Sequence, residues 1–228
     1  MSRSETLATL RKVLVGKNTP ELPTNIPKMP RFKDPAETFS KQLKKVGGIV
    51  LDSRTMGLEK CLSTILGKAQ SEIFVWEGQD TLEAHSIPFS ISRAAKKQKQ
   101  QFILSNHPQG HVIFPLRLST VELTLERLEN TTISAGSADV AIAETGTILF
   151  RTGLNRSRLL FGLPPCRLTL VSRRSIVHNL SQAINAGLQL EESSLITLTT
   201  GPSRTADIEK RLVVGVHGPG RWFVILTD

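Results

Sequence analysis

The strongest constraint on this chain's fold is the alternation of helical and strand-like patterning between residues 34 and 76. Asp34-Pro35 has the form of a helix N-cap and first-turn proline: an aspartate oxygen accepts from unpaired N–H groups, and proline there sacrifices no bond. Phe39, Leu43 and Val46 recur three and four apart, the stripe of a helix buried on one side, and Gly47-Gly48 ends it. IVL (49–51) then reads as a strand, Leu58, Cys61, Leu62 and Ile65 as a second helix ended by Gly67, and EIFVW (72–76) as another strand. Strands separated by helices lie parallel, and the helices cover the sheet. The predicted fold is α/β, an open, mostly parallel sheet with helices on both faces.

Upstream, Ser4 precedes Leu7, Leu10 and Leu14 on one helical face, and the prolines between residues 17 and 33 break that pattern. The organisation read from this is an N-terminal helix and linker (1–33) followed by one α/β domain (34–228). Beyond residue 77, SRAAKKQKQQF (92–102) reads as a helix and HVIFPL (111–116) as a strand. The spacing of Val121, Leu125 and Leu128 favours a helix, although VELTL alone also suits a strand. AIA (141–143) and TILFR (147–151) flank the turn Glu144-Thr145-Gly146 as a hairpin, and CRLTLV (166–171) is a strand. Ile176, Val177, Leu180, Ala183, Ile184 and Leu188 read as an amphipathic helix, and LITLT (195–199) and WFVILT (222–227) as strands.

Composition removes several function classes. At 228 residues with 39% hydrophobic and 21% charged residues, the chain has ordinary globular make-up. No apolar run approaches the length of a membrane span, and the N-terminus lacks the pattern of a secretory signal, so the expected location is cytoplasmic. Two cysteines, Cys61 and Cys166, make neither a disulfide framework nor a cluster site, and both read as buried thiols. The pair His107 and His111 in NHPQGH does not share a helical face, so no metal site is expected. The net charge of +9 arises mainly before residue 101 and raises a nucleic-acid reading. The basic runs KMPRFK (28–33) and RAAKKQK (93–99) have no interleaved aromatics and tyrosine is absent, which disfavours that reading.

Three segments carry candidate chemistry. Glu144 sits between an apolar run and a glycine turn, where a carboxylate serves as nucleophile, general base or hydroxyl acceptor, or simply braces the turn. Thr145 and Thr147 flank Gly146 and can orient a ligand or the turn itself. In TTGPSRTADIE (199–209), Gly201 ends a strand, Ser203 or Thr205 caps a helix start, and Arg204 supplies a cation, an arrangement suited to a small anion or phosphate. Asp207 and Glu209 either join that site or brace it. In GVHGPG (215–220), glycines surround His217, which is either an acid–base group or a turn residue. Arg151, Arg156 and Arg158 form a basic group after the Glu144 hairpin. Neither a Walker A loop nor a dinucleotide fingerprint is present. The three segments together predict one cleft.

The motifs ADVAIAETGT (138–147), the LPP turn (163–165) and TGPSRTADIE followed by LVVGVHGP (212–219) resemble the LUD-domain family, in particular its lactate utilisation protein C group. The resemblance implies a fold like that of sugar-phosphate isomerases and CoA-transferases. It also implies a role in oxidising L-lactate to pyruvate alongside two iron–sulfur partners, lactate utilisation proteins A and B. Carried onto this sequence, the family's characteristic residues are Glu144, Thr145, Gly146, Thr147, Gly201, Ser203, Arg204, Thr205, Asp207 and His217. In the CoA-transferase relatives a glutamate at a strand end is the nucleophile, so a stand-alone enzyme using Glu144 is the alternative. The resemblance names no cofactor for this chain.

Overall fold

Asp34 caps helix α1 (Pro35–Lys45), its carboxylate accepting the Glu37 N–H at 2.9 Å. Glu37 in the first turn and Lys44 and Lys45 in the last complement the helix dipole. Phe39 and Leu43 are fully buried on its inner face, each contributing about 1.5–3 kcal/mol by leaving water. The computed structural model describes residues 29–66, 73–77, 101–105, 109–114, 117–122, 131–152, 158–186, 195–205 and 213–228. The expectations for the N-terminal helix and most of the linker, for residues 92–100 and 123–130, and for His107, Arg156, Leu188, Asp207 and Glu209 fall outside those residues.

After α1 come β1 (Ile49–Asp52), α2 (Ser53–Met56), α3 (Leu58–Leu66), β2 (Ile73–Glu77), β3 (Gln101–Ser105), β4 (Gln109–Phe114) and β5 (Arg117–Glu122). Then follow β6 (Ile133–Ser137), β7 (Val140–Ile142), β8 (Thr147–Thr152), α4 (Arg158–Gly162), β9 (Cys166–Ser172), β10 (Ile176–Val177) and α5 (Leu180–Asn185). The described chain closes with β11 (Leu195–Thr199), β12 (Arg204–Thr205), β13 (Val213–Val214) and β14 (Arg221–Thr227). The large sheet has the order β1-β14-β9-β6-β2-β3-β4-β5. Its strands are parallel from β1 through β3, and β4 and β5 add an antiparallel edge. A second sheet, β10-β7-β8-β11, contains the Glu144 hairpin, and β12 pairs with β13.

Alternation along β9 and β14 builds the layers. Cys166, Leu168, Leu170, Phe223 and Ile225 face one side, where Cys61, Leu62 and Ile65 of α3 cover them. Val171, Trp222, Val224 and Leu226 face the other, against Phe39 and Leu43 of α1 and Ile148 and Phe150 of the second sheet. The result is the α/β architecture expected, with α3 on one face and α1 plus the small sheet on the other. Trp222 is 1% exposed, and its Nε1–H donates to Thr169 Oγ1 at 3.0 Å, so its one polar atom is satisfied. Arg167, also buried, lies over the rings of Phe150 and Phe161 at 5.4 and 5.1 Å and donates to Ser134 Oγ.

Three local expectations are corrected. Ile176 and Val177 are not the start of a helix: they form β10, paired with Ala141 and Ile142 of β7. The helix begins at Leu180 because Asn179 caps it, accepting the Gln182 N–H at 3.0 Å. Val121 belongs to β5, whose partner β4 supplies the ladder that a helix would forgo. Ser203 does not open a helix, since Arg204 and Thr205 pair antiparallel with Val214 and Val213. No helix among the described residues is long and apolar enough to cross a membrane.

Candidate functional site

Helix α1 is the surface on which two of the three singled-out segments rest, the third being joined to them through Ser203. The turn between β7 and β8 presses Gly146 against it: a Cβ at Gly146 would lie 2.5 Å from the Leu43 backbone nitrogen and 2.9 Å from Gln42 carbon. Gly146 has φ +69°, a left-handed conformation closed to most side chains. Its N–H donates to Ile142 O at 3.0 Å, closing the turn, and Glu144 N–H donates to His178 O at 3.0 Å. The Glu144 side chain is half-buried and Thr145 is exposed. Asp139 braces the far end of the hairpin, accepting Arg151 N–H at 2.8 Å and facing Arg151 Nε at 3.1 Å. Arg151 is therefore engaged within the hairpin.

Three threonine hydroxyls tie this turn to the second segment. Thr145 Oγ1 lies 2.6 Å from Thr147 Oγ1, which lies 2.6 Å from Thr200 Oγ1. Thr147, in the middle, is buried. Each hydroxyl both donates and accepts, so the chain polarises along one direction and holds the two segments in register. Thr200 was not among the residues singled out from sequence. The paired threonines of TTGPSRT were the available signal.

The second segment then packs on the carboxyl-terminal end of α1. Gly201 has φ +79°, and a Cβ there would meet Val46 Cγ2 at 2.7 Å. Arg204 Nη2 donates to Val46 O at 2.6 Å, placing a guanidinium on the unpaired carbonyls that end a helix. Arg204 thus serves α1 directly. It is exposed, and this is its one side-chain hydrogen bond among the described residues.

The third segment is bound to the second through Ser203. Ser203 N–H donates to Pro219 O at 2.9 Å, and Gly215 N–H donates to Ser203 O at 2.9 Å. Gly218 passes close enough that a Cβ would lie 3.1 Å from Ser203 Cβ. Thr205 is half-buried in β12, and the His217 side chain stands exposed on the loop. The structure therefore joins the Glu144 turn to Thr200, Ser203 to the His217 loop, and Arg204 to α1. Among the described residues, no hydrogen bond or ion pair links the Glu144 carboxylate to Arg204 or His217.

The placement within the sheet also matters. Val46 lies just before β1, across Gly47-Gly48, and the 215–220 loop immediately precedes β14, so these segments lie along the amino-terminal edge of the parallel strands. Both cysteines are buried, and burial pushes the Cys166 thiol up to about 12 and raises that of Cys61, so neither is a nucleophile at neutral pH.

Comparison with known proteins adds a family context. The family model of the LUD domain matches residues 36–227. Lactate utilization protein C of Anoxybacillus flavithermus is 31% identical over 136 residues, 59% of this chain and 62% of that protein. Lactate utilization protein C of Halalkalibacterium halodurans is 31% identical over 196 residues, 83% of this chain and 77% of that protein. That of Macrococcus caseolyticus is 36% identical over 109 residues, so the chain spans about half of that relative's length, 47%. A solved structure of a DUF162 family protein from Deinococcus radiodurans superposes with a TM-score of 0.56 at 18% identity, covering 85% of this chain and 96% of that one. At that identity the likeness speaks for the fold.

Proposed function

The chain belongs to the LUD-domain family, and on that premise we propose that it acts in L-lactate utilisation, as a component of the oxidation of L-lactate to pyruvate alongside iron–sulfur proteins. The observation that carries this reading is the similarity to lactate utilization protein C, which in the Halalkalibacterium halodurans relative extends over 83% of this chain. Oxidation of a 2-hydroxy acid to a 2-oxo acid removes two electrons and two protons. Carboxylate, hydroxyl, guanidinium and imidazole groups bind anions and move protons but accept no electrons. In this reading the electrons pass to the iron–sulfur partners, and this chain supplies binding and assembly.

The ligand surface proposed is Glu144 with Thr145, Gly146 and Thr147 from the hairpin, Gly201, Ser203, Arg204 and Thr205 from the second segment, and His217 on the loop; Asp207, expected in it from sequence, lies outside the described residues. Backbone contacts and the threonine chain preorganise it, which limits the ordering cost of binding a small anion or nucleotide-like ligand. Native mass spectrometry of the full chain mixed with the two iron–sulfur proteins tests the reading. A defined complex, and faster L-lactate oxidation with the chain than without it, are expected. Separate masses together with oxidation indifferent to this chain would refute it.

A further inference from the structure

A cavity of about 310 Å3 opens at the opposite, carboxyl-terminal edge of the parallel strands, and shares no residue with the surface just described. Its floor is Asp52 at the end of β1 and Leu226 near the end of β14, and Arg173, the residue after β9, closes one side. The outer face of α1 forms the other wall through Glu37, Ser40 and Lys44. Chain direction makes this edge special. From β1 the chain leaves to α2 and α3, on the face holding Cys61 and Leu62, whereas from β9 it leaves to β10, on the face holding Ile176. The two connections diverge to opposite sides around β14. In open α/β sheets such a divergence at the carboxyl ends leaves a crevice in which ligands bind.

The charges decide what fits. Each carboxylate at the cavity already has a partner within the protein. Asp34 accepts Glu37 N–H at 2.9 Å, Glu37 pairs with Lys41 at 2.8 Å, and Asp52 accepts Arg54 N–H at 3.0 Å while pairing with Arg173. The cations are less engaged. Lys44 has no ion pair among the described residues, and Arg173 is bound to Asp52 through Nη2 alone, so its Nη1 keeps its donors for a ligand. The Arg173 side chain is 19% exposed, so its charge lies in a partly desolvated setting where an anion is held more strongly than in water. The unsatisfied capacity at this cavity is for donating, and the volume is at the small end of ligand sites.

We propose that this cavity binds a small oxyanion, a carboxylate or phosphate group, with Arg173 as its anchor, Lys44 as the second cation, and Asp52 holding the guanidinium in place. The proposal does not rest on the lactate reading. Isothermal titration calorimetry of the full chain with L-lactate, pyruvate and inorganic phosphate as separate probes tests it. One saturable site is expected for at least one probe, and whether the carboxylates or phosphate saturate it identifies the source. Lys44→Ala, on an exposed helix face, should weaken binding at least tenfold, and Arg173→Met should abolish it. Should Arg173→Met fail to fold, Lys44→Ala and Arg173→Lys decide the matter, the latter also weakening binding. Lys60→Ala, an exposed cation on α3 across the sheet, should bind as the wild type does. Absence of saturable binding for all three probes, unchanged affinity in Lys44→Ala, or loss of binding in Lys60→Ala would overturn the assignment.

Discussion

Replacing Gly146 by alanine should destabilise the protein by about 2–5 kcal/mol. The figure has two parts. A left-handed conformation at φ +69° costs a residue with a Cβ about 1–2 kcal/mol. The new methyl would also lie 2.5 Å from Leu43 N and 2.9 Å from Leu43 Cα. Those are backbone atoms inside a helix and cannot rotate away, so the hairpin and α1 must separate, an overpacking cost of about 1–3 kcal/mol. Urea unfolding followed by tryptophan fluorescence is a suitable assay, because Trp222 is buried in the same core cluster as Leu43. Gly162→Ala is the control: a Cβ there meets nothing within 4 Å and its φ is not left-handed, so a change within about 1 kcal/mol, in the stabilising direction, is expected. A Gly146→Ala loss below about 1 kcal/mol would refute the claim that this turn is wedged against α1.

Three further outcomes follow from the same contacts. Arg204→Met should cost about 1 kcal/mol by uncapping the carboxyl end of α1, measured by the same unfolding assay, and an unchanged midpoint would show that the Val46 bond contributes nothing. Thr147→Val keeps the shape but removes the middle hydroxyl of the threonine chain, and a loss of about 1 kcal/mol is expected in the same assay. Cys61 and Cys166 should resist a thiol reagent at pH 8 in the folded protein and react only on unfolding; prompt reaction of either would contradict their burial. Because burial raises the Cys166 thiol from 9.0 to about 12, its contribution to stability is complete below about pH 9 and is lost as pH rises toward 12.

Much of the fold was legible because local signals and packing agree. Asp34, Pro35, Phe39, Leu43 and Gly47-Gly48 give α1 its cap, stripe and stop, and the structure uses each of them that way. The alternation to IVL and then to Cys61, Leu62 and Ile65 fixed the helix–strand order that a parallel sheet requires. Where reading failed, tertiary pairing outweighed spacing. Ile176 and Val177 share the helical period of Leu180, Ala183 and Ile184, but Ala141 and Ile142 offer them a strand partner, and Asn179 marks the true helix start. Likewise Ser203-Arg204-Thr205 carries cap-like residues, yet the distant pair Val213-Val214 supplies a ladder. The grouping of the three motif segments was legible only as a coincidence along the chain. Their assembly depends on contacts such as Arg204 to Val46, across 158 residues, and Ser203 to Pro219, that no local pattern encodes. The Asp52 and Arg173 pair gave still less signal, since each is an ordinary charge at a strand end, 121 residues from the other.

The central claim is that this chain is required for L-lactate oxidation. Growth on L-lactate as sole carbon source, compared between its host, a deletion strain, and that strain carrying the gene on a plasmid, tests it most directly. The account predicts that deletion stops growth on L-lactate but not on pyruvate, and that the plasmid copy restores it. Undiminished growth of the deletion strain on L-lactate would contradict it.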